Sequence, residues 1–152
     1  MKYIVAIGII VSLLSSCKFY EPELRGGESF QMKKMDGKEV LFTAGAKVYN
    51  GNWFGVKVKP STLDLYIDGD YMGKVHLLKK VKMRAKKETD LQAEFLAELE
   101  GNALVKSLGL ALKGDVDVRL KGKIKGGVFI FSKKIDFDET RKMSGKNLRS
   151  KE

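Results

Sequence analysis

The stretch EVLFTAGAKVYN, residues 39–50, alternates apolar residues with others at a period of two. Successive side chains of a β-strand point to opposite faces, so this alternation places the apolar residues on a single face. The residues that share this face are Val40, Phe42, Ala44, Ala46 and Val48. A surface helix would instead repeat its apolar residues three and four positions apart. The stretch therefore predicts a β-strand with one buried face.

The same alternation recurs along most of the chain that follows this stretch. It appears in FGVKVKP (54–60), TLDLYIDG (62–69), VKMRA (81–85), LQAEFLAEL (91–99), DVDVRLKGKI (115–124) and VFIFSKKIDF (128–137), the last of which we interpret as one final strand. Asp68-Gly69 between two of these runs is a strong hairpin signal. About seven or eight short strands at near-regular spacing predict an all-β fold, namely a β-sandwich.

One segment has a different period. NALVKSLGLALKG, residues 102–114, places Leu104, Leu108 and Leu112 at helical spacing. Gly114 suits the end of a helix, because glycine adopts the left-handed conformation that often terminates one. We therefore expect one short helix that crosses between the two sheets of the sandwich.

The first residues have the features of a targeting segment. Lys2 precedes the apolar run YIVAIGIIVSLL (3–14), which is shorter than the ~20 residues that a membrane-spanning helix needs. The run ends in LSSC (14–17), which contains the only cysteine of the chain and is similar to the lipobox of bacterial lipoproteins. That resemblance implies that a diacylglycerol is joined to the Cys17 thiol and that residues 1–16 are removed. A transmembrane helix and a buried structural cysteine are the alternatives.

These features divide the chain into four parts. We expect a lipoprotein signal peptide at 1–16, a tether at 17–28, a β-sandwich at 29–138 and a polar basic tail at 139–152. The tether contains a proline and a pair of glycines without periodicity, as flexible linkers do. In some bacterial lipoproteins an Asp after the lipid-bearing cysteine retains the protein in the inner membrane. Lys18 stands there instead, which favours the outer membrane, facing the periplasm.

The body of the chain carries a set of spaced motifs. They are VYNGNWFGVKV (48–58), LDLYIDGDYMGKV (63–75), VKMRAKKETDL (81–91) and VDVRLKGKIKGGVFI (116–130). Together they resemble the late embryogenesis abundant type 2 domain, also called the water-stress and hypersensitive-response (WHy) domain, over about residues 38–137. Asn50, Asn52 and Gly55 match that family's Asn-Pro-Asn and glycine step, with Gly51 in place of the proline. The resemblance implies an immunoglobulin/fibronectin-like β-sandwich of about seven strands with one short helix. It also implies a stress-protective role and carries over no catalytic residues.

The two asparagines of that motif have two interpretations. Asn side chains hydrogen-bond nearby backbone and close turns, so we expect Asn50 and Asn52 to have a structural role. Ligand binding is the alternative. A similar choice applies to Trp53, Phe54 and Tyr71, which either pack at the end of the sandwich or form an exposed aromatic patch.

The chain is strongly basic, with 29 Lys and Arg against 19 Asp and Glu, for a net charge of +10. The basic residues that alternate away from the apolar sides of three strands are Lys57, Lys59, Lys80, Lys82, Arg84, Lys86, Arg119, Lys121, Lys123 and Lys125. They either pair with acidic side chains on neighbouring strands of a solvent-exposed sheet face or contact an anionic surface such as lipid headgroups or an acidic protein. Nucleic acid is not expected as a partner, because the targeting segment directs the chain out of the cytoplasm.

Groups for catalysis or metal binding are scarce in the sequence. The chain has one histidine, His76, and one cysteine, and it lacks the common nucleophile, phosphate-binding and zinc motifs. Two pairs of aspartates at i, i+2, Asp68/Asp70 and Asp115/Asp117, could bind a cation, but solvated turns and strand faces explain them as well. We expect no enzyme activity, no cofactor and no metal.

Two functions are compatible with these features. The first is a membrane-anchored bacterial lipoprotein that acts as a non-enzymatic interaction, scaffold or stress-protective module in the cell envelope. Its partners would be the membrane, through the lipid anchor, and another envelope protein or an anionic lipid. The second is a ligand-binding lipoprotein that holds a small apolar or anionic molecule.

Overall fold

A computed structural model describes residues 19–103, 106 and 114–144 of the chain. These residues form ten strands: β1 (Glu23–Leu24), β2 (Ser29–Asp36), β3 (Glu39–Asn50), β4 (Val56–Lys59), β5 (Thr62–Ile67), β6 (Asp70–Leu77), β7 (Val81–Met83), β8 (Lys87–Leu99), β9 (Asp115–Val128) and β10 (Phe131–Ser144). The predicted all-β class is confirmed. The predicted number of about seven strands is too low.

All strand pairs are antiparallel and belong to one hydrogen-bonded network. Its order is β1-β3-β8-β6-β5-β9-β4-β7, with β2 also paired to β3 and β10 to β9. On one edge β9 pairs first with β5 and then, nearer its C-terminal end, with β4. Its other edge pairs with β10 along its full length. The two ends of β9 therefore have different neighbouring strands on this edge.

The hydrophobic core lies on β3, β6 and β8. Val40, Val75 and Ala97 are buried together, and Ala97 stands directly opposite both valines in the sheet register. Cross-strand apolar pairs of this kind are a main source of sheet stability. Partly buried neighbours extend the cluster, namely Met32, Phe42, Leu65, Phe95, Leu99 and Leu120.

A β-bulge in β6 fits this core to the neighbouring strands. Leu65 pairs with Gly73 and Tyr66 pairs with Tyr71, so Met72 is the extra residue of the bulge. Met72 is buried, and Gly73 has a φ of 138°, which few residues other than glycine adopt. The bulge thus places an additional large apolar side chain in the interior.

The structure extends the ordered sheet beyond the boundaries expected at both ends. The predicted tether includes β1, which pairs with β3, and the backbone N–H of Arg25 donates to the Lys47 carbonyl at 2.7 Å. The Arg25 guanidinium also lies 4.0 Å from the centre of the Tyr49 ring. At the other end, β10 continues to Ser144, past the start of the predicted tail at residue 139.

Two sequence predictions fall on parts of the chain that are not described. The signal peptide and Cys17 lie outside the described residues, as does most of the helix predicted over 102–114. Where that helix would begin, the backbone N–H of Lys106 donates to the Asn102 carbonyl at 3.0 Å. Within the described ranges, no helix has the length and apolar character needed to cross a membrane.

Candidate functional site

The loop after β3 is organised by two buried asparagines. Asn50 and Asn52 are 0% and 1% exposed. The Asn50 side-chain oxygen accepts hydrogen bonds from the backbone N–H of Asn52 at 3.0 Å and from its side-chain amide at 2.8 Å. The Asn50 amide donates to the Phe54 carbonyl at 2.8 Å. These bonds close the loop on itself, which is the structural role expected for the motif.

Asn52 also joins this loop to two other segments. Its side chain accepts from the Tyr20 backbone N–H at 2.9 Å and donates to the Tyr20 carbonyl at 2.6 Å. Its own carbonyl accepts from the Lys86 N–H at 2.9 Å. Gly55 lies close to β7, where an added Cβ would come within 3.4 Å of the Met83 carbonyl oxygen. The motif residues therefore position the start of the described chain and the β7–β8 loop.

The aromatic residues of this loop do not form the grouping considered from the sequence. Trp53 and Phe54 contact each other, with ring centroids 5.2 Å apart, and both contact Phe129 at 6.0 and 5.9 Å. Tyr71 instead packs on Tyr66 at 5.5 Å. Tyr66 pairs with Arg119 near the start of β9, whereas Phe129 follows its end, about 30 Å away at the usual rise per strand residue.

The prediction of one final strand over 128–137 is also wrong. The chain reverses at Phe129 and Ile130, which form the turn between β9 and β10. Residues 128–131 form a continuous apolar run, and neither turn residue is Gly, Asn or Asp, so the usual turn signals are missing at the turn itself. For the same reason Phe129 could not be assigned to the Trp53 cluster from sequence alone.

The basic residues of β9 alternate outward, as their spacing predicts. Arg119, Lys121, Lys123 and Lys125 are all exposed. Arg119 binds Asp138 with two hydrogen bonds of 2.6 Å, and these bonds lower the pKa of the Asp138 carboxyl and raise that of the guanidinium. Among the predicted anionic-surface residues, only Arg119 and Lys123 form an ion pair with another described residue.

Farther along the sheet, lysines face lysines. In the register, Lys125 stands directly opposite Lys59 on β4 and Lys134 on β10. Lys57 stands opposite Lys82 on β7. Directly opposed side chains have Cβ atoms about 5 Å apart, and like charges at that separation destabilise a sheet. We call this group of five residues the lysine cluster. An anion placed on it would relieve the repulsion.

A groove of about 510 Å³ lies beside the lysine cluster. It is lined by Pro60, Ser61, Thr62, His76, Leu77, Leu78, Lys123, Lys125 and Lys134. The Ser61 hydroxyl accepts from the Lys125 backbone N–H at 3.0 Å and donates to the Lys59 carbonyl at 2.9 Å. Three lysines line the groove, and ammonium groups form strong, charge-assisted hydrogen bonds with anions, so the lining favours an anionic ligand.

His76 forms one wall of the groove. Its Nδ1 atom lies 2.9 Å from the Thr62 hydroxyl. Its Nε2 atom lies 3.4 Å from a Glu98 carboxylate oxygen, but the geometry is not that of a hydrogen bond, and this atom has no hydrogen-bond partner among the described residues. Which of the two groups donates in the Thr62–His76 pair depends on the imidazole tautomer.

A second cavity, of about 280 Å³, contains a tightly paired carboxylate. Glu94 binds Lys33 at 2.7 Å and Lys79 at 2.6 Å. The hydrogen bonds from these two ammonium groups lower the pKa of Glu94 from 4.5 to about 2. Glu94 thus occupies two of the three lysines that line this cavity, whereas only Lys123 of the three groove lysines is ion-paired with a described residue, so this cavity is a poorer anion site than the groove.

The aspartate pairs have structural partners. The Asp68 carboxylate accepts from the Asp117 backbone N–H at 2.9 Å, and the Asp68 N–H donates to the Asp117 carbonyl at 2.9 Å. Asp70 pairs with Lys106 at 3.0 Å. Among the described side chains, His, Cys, Asp and Glu do not gather in groups of three or more that could hold a metal ion.

Comparison with known proteins supports the fold and the family. No curated protein matches the chain. A crystal structure of an Archaeoglobus fulgidus protein is similar with a TM-score of 0.52 and 13% identity, covering 80% of this chain and 97% of that one. A solution structure of an Arabidopsis thaliana protein has a TM-score of 0.44 and 14% identity, covering 85% and 87%.

The sequence match is to a protein family. Residues 46–141 match the family described as late embryogenesis abundant protein. The matched region extends from the middle of β3 into β10 and includes the asparagine motif, the lysine cluster and the groove. Because the match covers more than half of the sequence, this chain belongs to the late embryogenesis abundant protein family.

Proposed function

We propose that this protein is a lipid-anchored bacterial envelope protein that acts as a non-enzymatic interaction or stress-protective module. The observation that carries the proposal is the LSSC sequence at 14–17, upstream of a domain of the late embryogenesis abundant family that is matched over residues 46–141. Family membership supports a stress-related or ligand-binding role. The domain would be an immunoglobulin-like sandwich held at the outer membrane, facing the periplasm.

The physical basis of the anchor is the burial of acyl chains. Each CH₂ group that enters the bilayer contributes about 0.8 kcal/mol, so one chain binds marginally and two or three bind almost permanently. A diacylglycerol on the Cys17 thiol would therefore keep the domain on the membrane. Once the domain is held at the membrane, it can interact with envelope components through an exposed charged surface. The lysine cluster supplies such a surface for anionic lipids or an acidic envelope protein.

The anchor is tested by intact-mass analysis of the full chain expressed in a bacterial host. Protein from the membrane fraction should lack residues 1–16 and carry the added mass of acyl chains on Cys17. Cys17→Ser is the matched variant and should carry no lipid. An unmodified chain that begins at Met1, or a free Cys17 thiol in membrane-derived protein, would refute the proposal.

The interaction role is tested separately, by cross-linking in intact cells followed by mass spectrometry. Cross-links from the lysine cluster to a defined envelope protein, or affinity of the pure protein for anionic lipid, would support it. If the lipidated protein cross-links to no partner, and the Cys17→Ser variant shows no affinity for anionic lipid, the interaction role is excluded while the anchor remains intact.

The groove favours a second candidate function, the binding of a small anionic molecule. We would measure the thermal shift with inorganic phosphate, together with native mass spectrometry of freshly purified protein. Phosphate should stabilise the wild type, and Lys125→Gln should reduce this shift. Lys121→Gln is the control, because Lys121 is exposed on the same strand but faces Asp64 and Asp138. Equal shifts in both variants, or no shift in the wild type, would count against this function.

A further inference from the structure

The turn between β9 and β10 has an unusual composition. Val128 pairs with Phe131, so Phe129 and Ile130 are the two turn residues. Two-residue hairpin turns usually contain Asn, Asp or Gly, because their backbone requires positive φ. Here Phe129 has a φ of 52°, and Ile130 is 90% exposed. A bulky residue with positive φ is a conformational outlier, and such outliers concentrate at functional sites.

The turn belongs to a larger exposed apolar surface. Trp53 is 64% exposed and contacts Phe129, and Phe19 stacks near Phe54 at 6.4 Å. We call this surface the aromatic end; its residues are Phe19, Trp53, Phe54, Phe129, Ile130 and Phe131. Scattered exposed apolar residues are ordinary, but a contiguous patch of this kind marks an interaction site with protein or membrane.

Basic side chains border the aromatic end. The Lys57 ammonium donates to the Phe129 carbonyl at 3.3 Å, and Lys82 stands opposite Lys57. The Lys86 ammonium lies 6.0 Å from the centre of the exposed Tyr20 ring. Aromatic rings next to lysines are characteristic of residues at a membrane–water interface, where the rings lie at headgroup depth and the ammonium groups contact anionic lipids.

The chain that leads to the lipid attachment site ends at the same place. Phe19 is the first described residue, and Tyr20 is held by Asn52. Only Lys18 separates Phe19 from Cys17, and two residues of extended chain span at most about 7 Å. An acyl group on Cys17 would therefore bring the aromatic end to the bilayer surface. This step rests on the proposed anchor.

We propose that the aromatic end docks into the headgroup region of an anionic bilayer, with the Phe129–Ile130 turn inserted. A second copy of the chain fits less well, because the apolar residues lie on a projecting turn and two copies would bring the bordering lysines against each other. A membrane avoids both problems, since it accommodates a convex tip and supplies negative charge. The domain would then have one fixed orientation on the membrane.

Trp53 allows a direct test, because it is the only tryptophan in the chain. The full-length lipidated protein is reconstituted into vesicles of phosphatidylethanolamine and phosphatidylglycerol, with plain or dibrominated acyl chains. Bromine quenches only fluorophores at acyl-chain or headgroup depth. We expect at least about a twofold loss of Trp53 emission in brominated vesicles, given the 5–10 Å depth of interfacial insertion.

The variant Ile130→Glu should remain bound to the vesicles through its lipid but lose the bromine quenching. Met35→Glu is the matched control. Met35 is also an exposed apolar residue, but it pairs with Val40, at the opposite end of β3 from Asn50. Far-UV circular dichroism confirms that each variant is folded. Quenching that is unchanged in Ile130→Glu would overturn the proposal.

The remaining outcomes separate docking from anchoring. Lipidated protein that floats with the vesicles but shows no quenching of Trp53 would overturn docking and leave the anchor intact. Shielding of Trp53 from aqueous iodide without bromine quenching would place a second copy of the chain on the aromatic end and also overturn docking. Protein without lipid on Cys17 would refute the anchor. Docking would still be supported if Trp53 of that unlipidated full chain were quenched at excess vesicles and if Ile130→Glu abolished this quenching.

Discussion

Two asparagines hold three separate parts of the chain together. Asn50 closes the loop after β3, and Asn52 binds both Tyr20 and the β7–β8 loop. Their side chains are buried with their hydrogen-bonding groups engaged, as buried polar groups normally are. The residue type follows from this geometry, because a short amide both donates and accepts within one turn. The aromatic end is positioned by the same bonds.

Replacement of Asn50 should therefore destabilise the protein. In Asn50→Ala the amide groups of Asn52 and the Phe54 carbonyl lose a partner in the interior, which costs about 1–3 kcal/mol. Urea unfolding followed by circular dichroism measures the change. Gln31→Ala is the control, since Gln31 is an exposed amide residue on β2, and its effect on the free energy of unfolding should stay within about 0.5 kcal/mol. Equal effects of the two substitutions would contradict the structural role.

Glu94 makes stability depend on pH in the acid range. Its folded-state pKa of about 2 is below the ordinary 4.5, so the folded state favours the charged carboxylate. The stabilisation is present above about pH 4.5 and is lost as the pH falls through about 2. Glu94→Gln should flatten the dependence of the melting temperature on pH in this window. A carbon-13 carboxyl titration of the wild type should show Glu94 still ionised at pH 3.

The effect of Glu94 is expected to be modest, because ion pairs at the surface are screened by water and salt. Glu139→Gln provides the comparison, since Glu139 is exposed on β10 and forms no ion pair within the described part of the chain. A Glu94 titration midpoint near its ordinary value would show that the contacts with Lys33 and Lys79 do not persist in solution.

At the scale of the elements, two backbone irregularities place large apolar side chains where a regular strand would not. The β6 bulge turns Met72 into the interior, and the β9–β10 turn projects Ile130 into solvent. Side-chain period alone predicts strands well, but it does not show where a strand bulges or reverses, because both depend on the partner strand.

Gly73 should tolerate substitution less than Gly69, although both have positive φ. An added Cβ at Gly73 would collide with the Glu98 carbonyl oxygen, whereas the space around Gly69 is open. Gly69→Ala should lower the free energy of unfolding by about 1 kcal/mol, the cost of positive φ for a residue with a Cβ. Gly73→Ala should lower it by on the order of 1–3 kcal/mol more, because of the collision. Thermal and urea unfolding of the two variants measure the difference. Equal losses would mean that β6 and β8 are not paired at Gly73.

At the scale of the whole molecule, the net charge of +10 is unevenly distributed. Near the start of β9 the bases are matched by acids, as in the Arg119–Asp138 pair. Near its end the lysine cluster and the aromatic end adjoin, joined through the contact of Lys57 with Phe129. The end of the protein that carries the lysine cluster and the aromatic end is thus more apolar, and its positive charges have fewer acidic partners. Both properties suit contact with an anionic membrane surface.

Charge reversal at Lys134 should stabilise the protein. Lys134→Glu would place an acid opposite Lys125, replacing a repulsive cross-strand pair by an attractive one worth about 0.2–1 kcal/mol. The gain should disappear near 1 M NaCl, where the screening length is only about 3 Å. Lys133→Glu is the control, because Lys133 stands opposite Gly126. A gain that is equal in both variants would reflect net charge instead of the lysine cluster.

The sequence by itself determined the all-β class, the Asp68-Gly69 hairpin, the outward alternation of the β9 bases and the family motif at Asn50 and Asn52. These properties are local, since they follow from side-chain period and turn residues within a few positions. Only the tertiary structure decided that Lys125 faces Lys59 and Lys134, that Asn52 holds Tyr20 and that Phe129 joins Trp53. Such contacts depend on the register between strands distant in sequence, and register is a property of the pairing that no single strand contains.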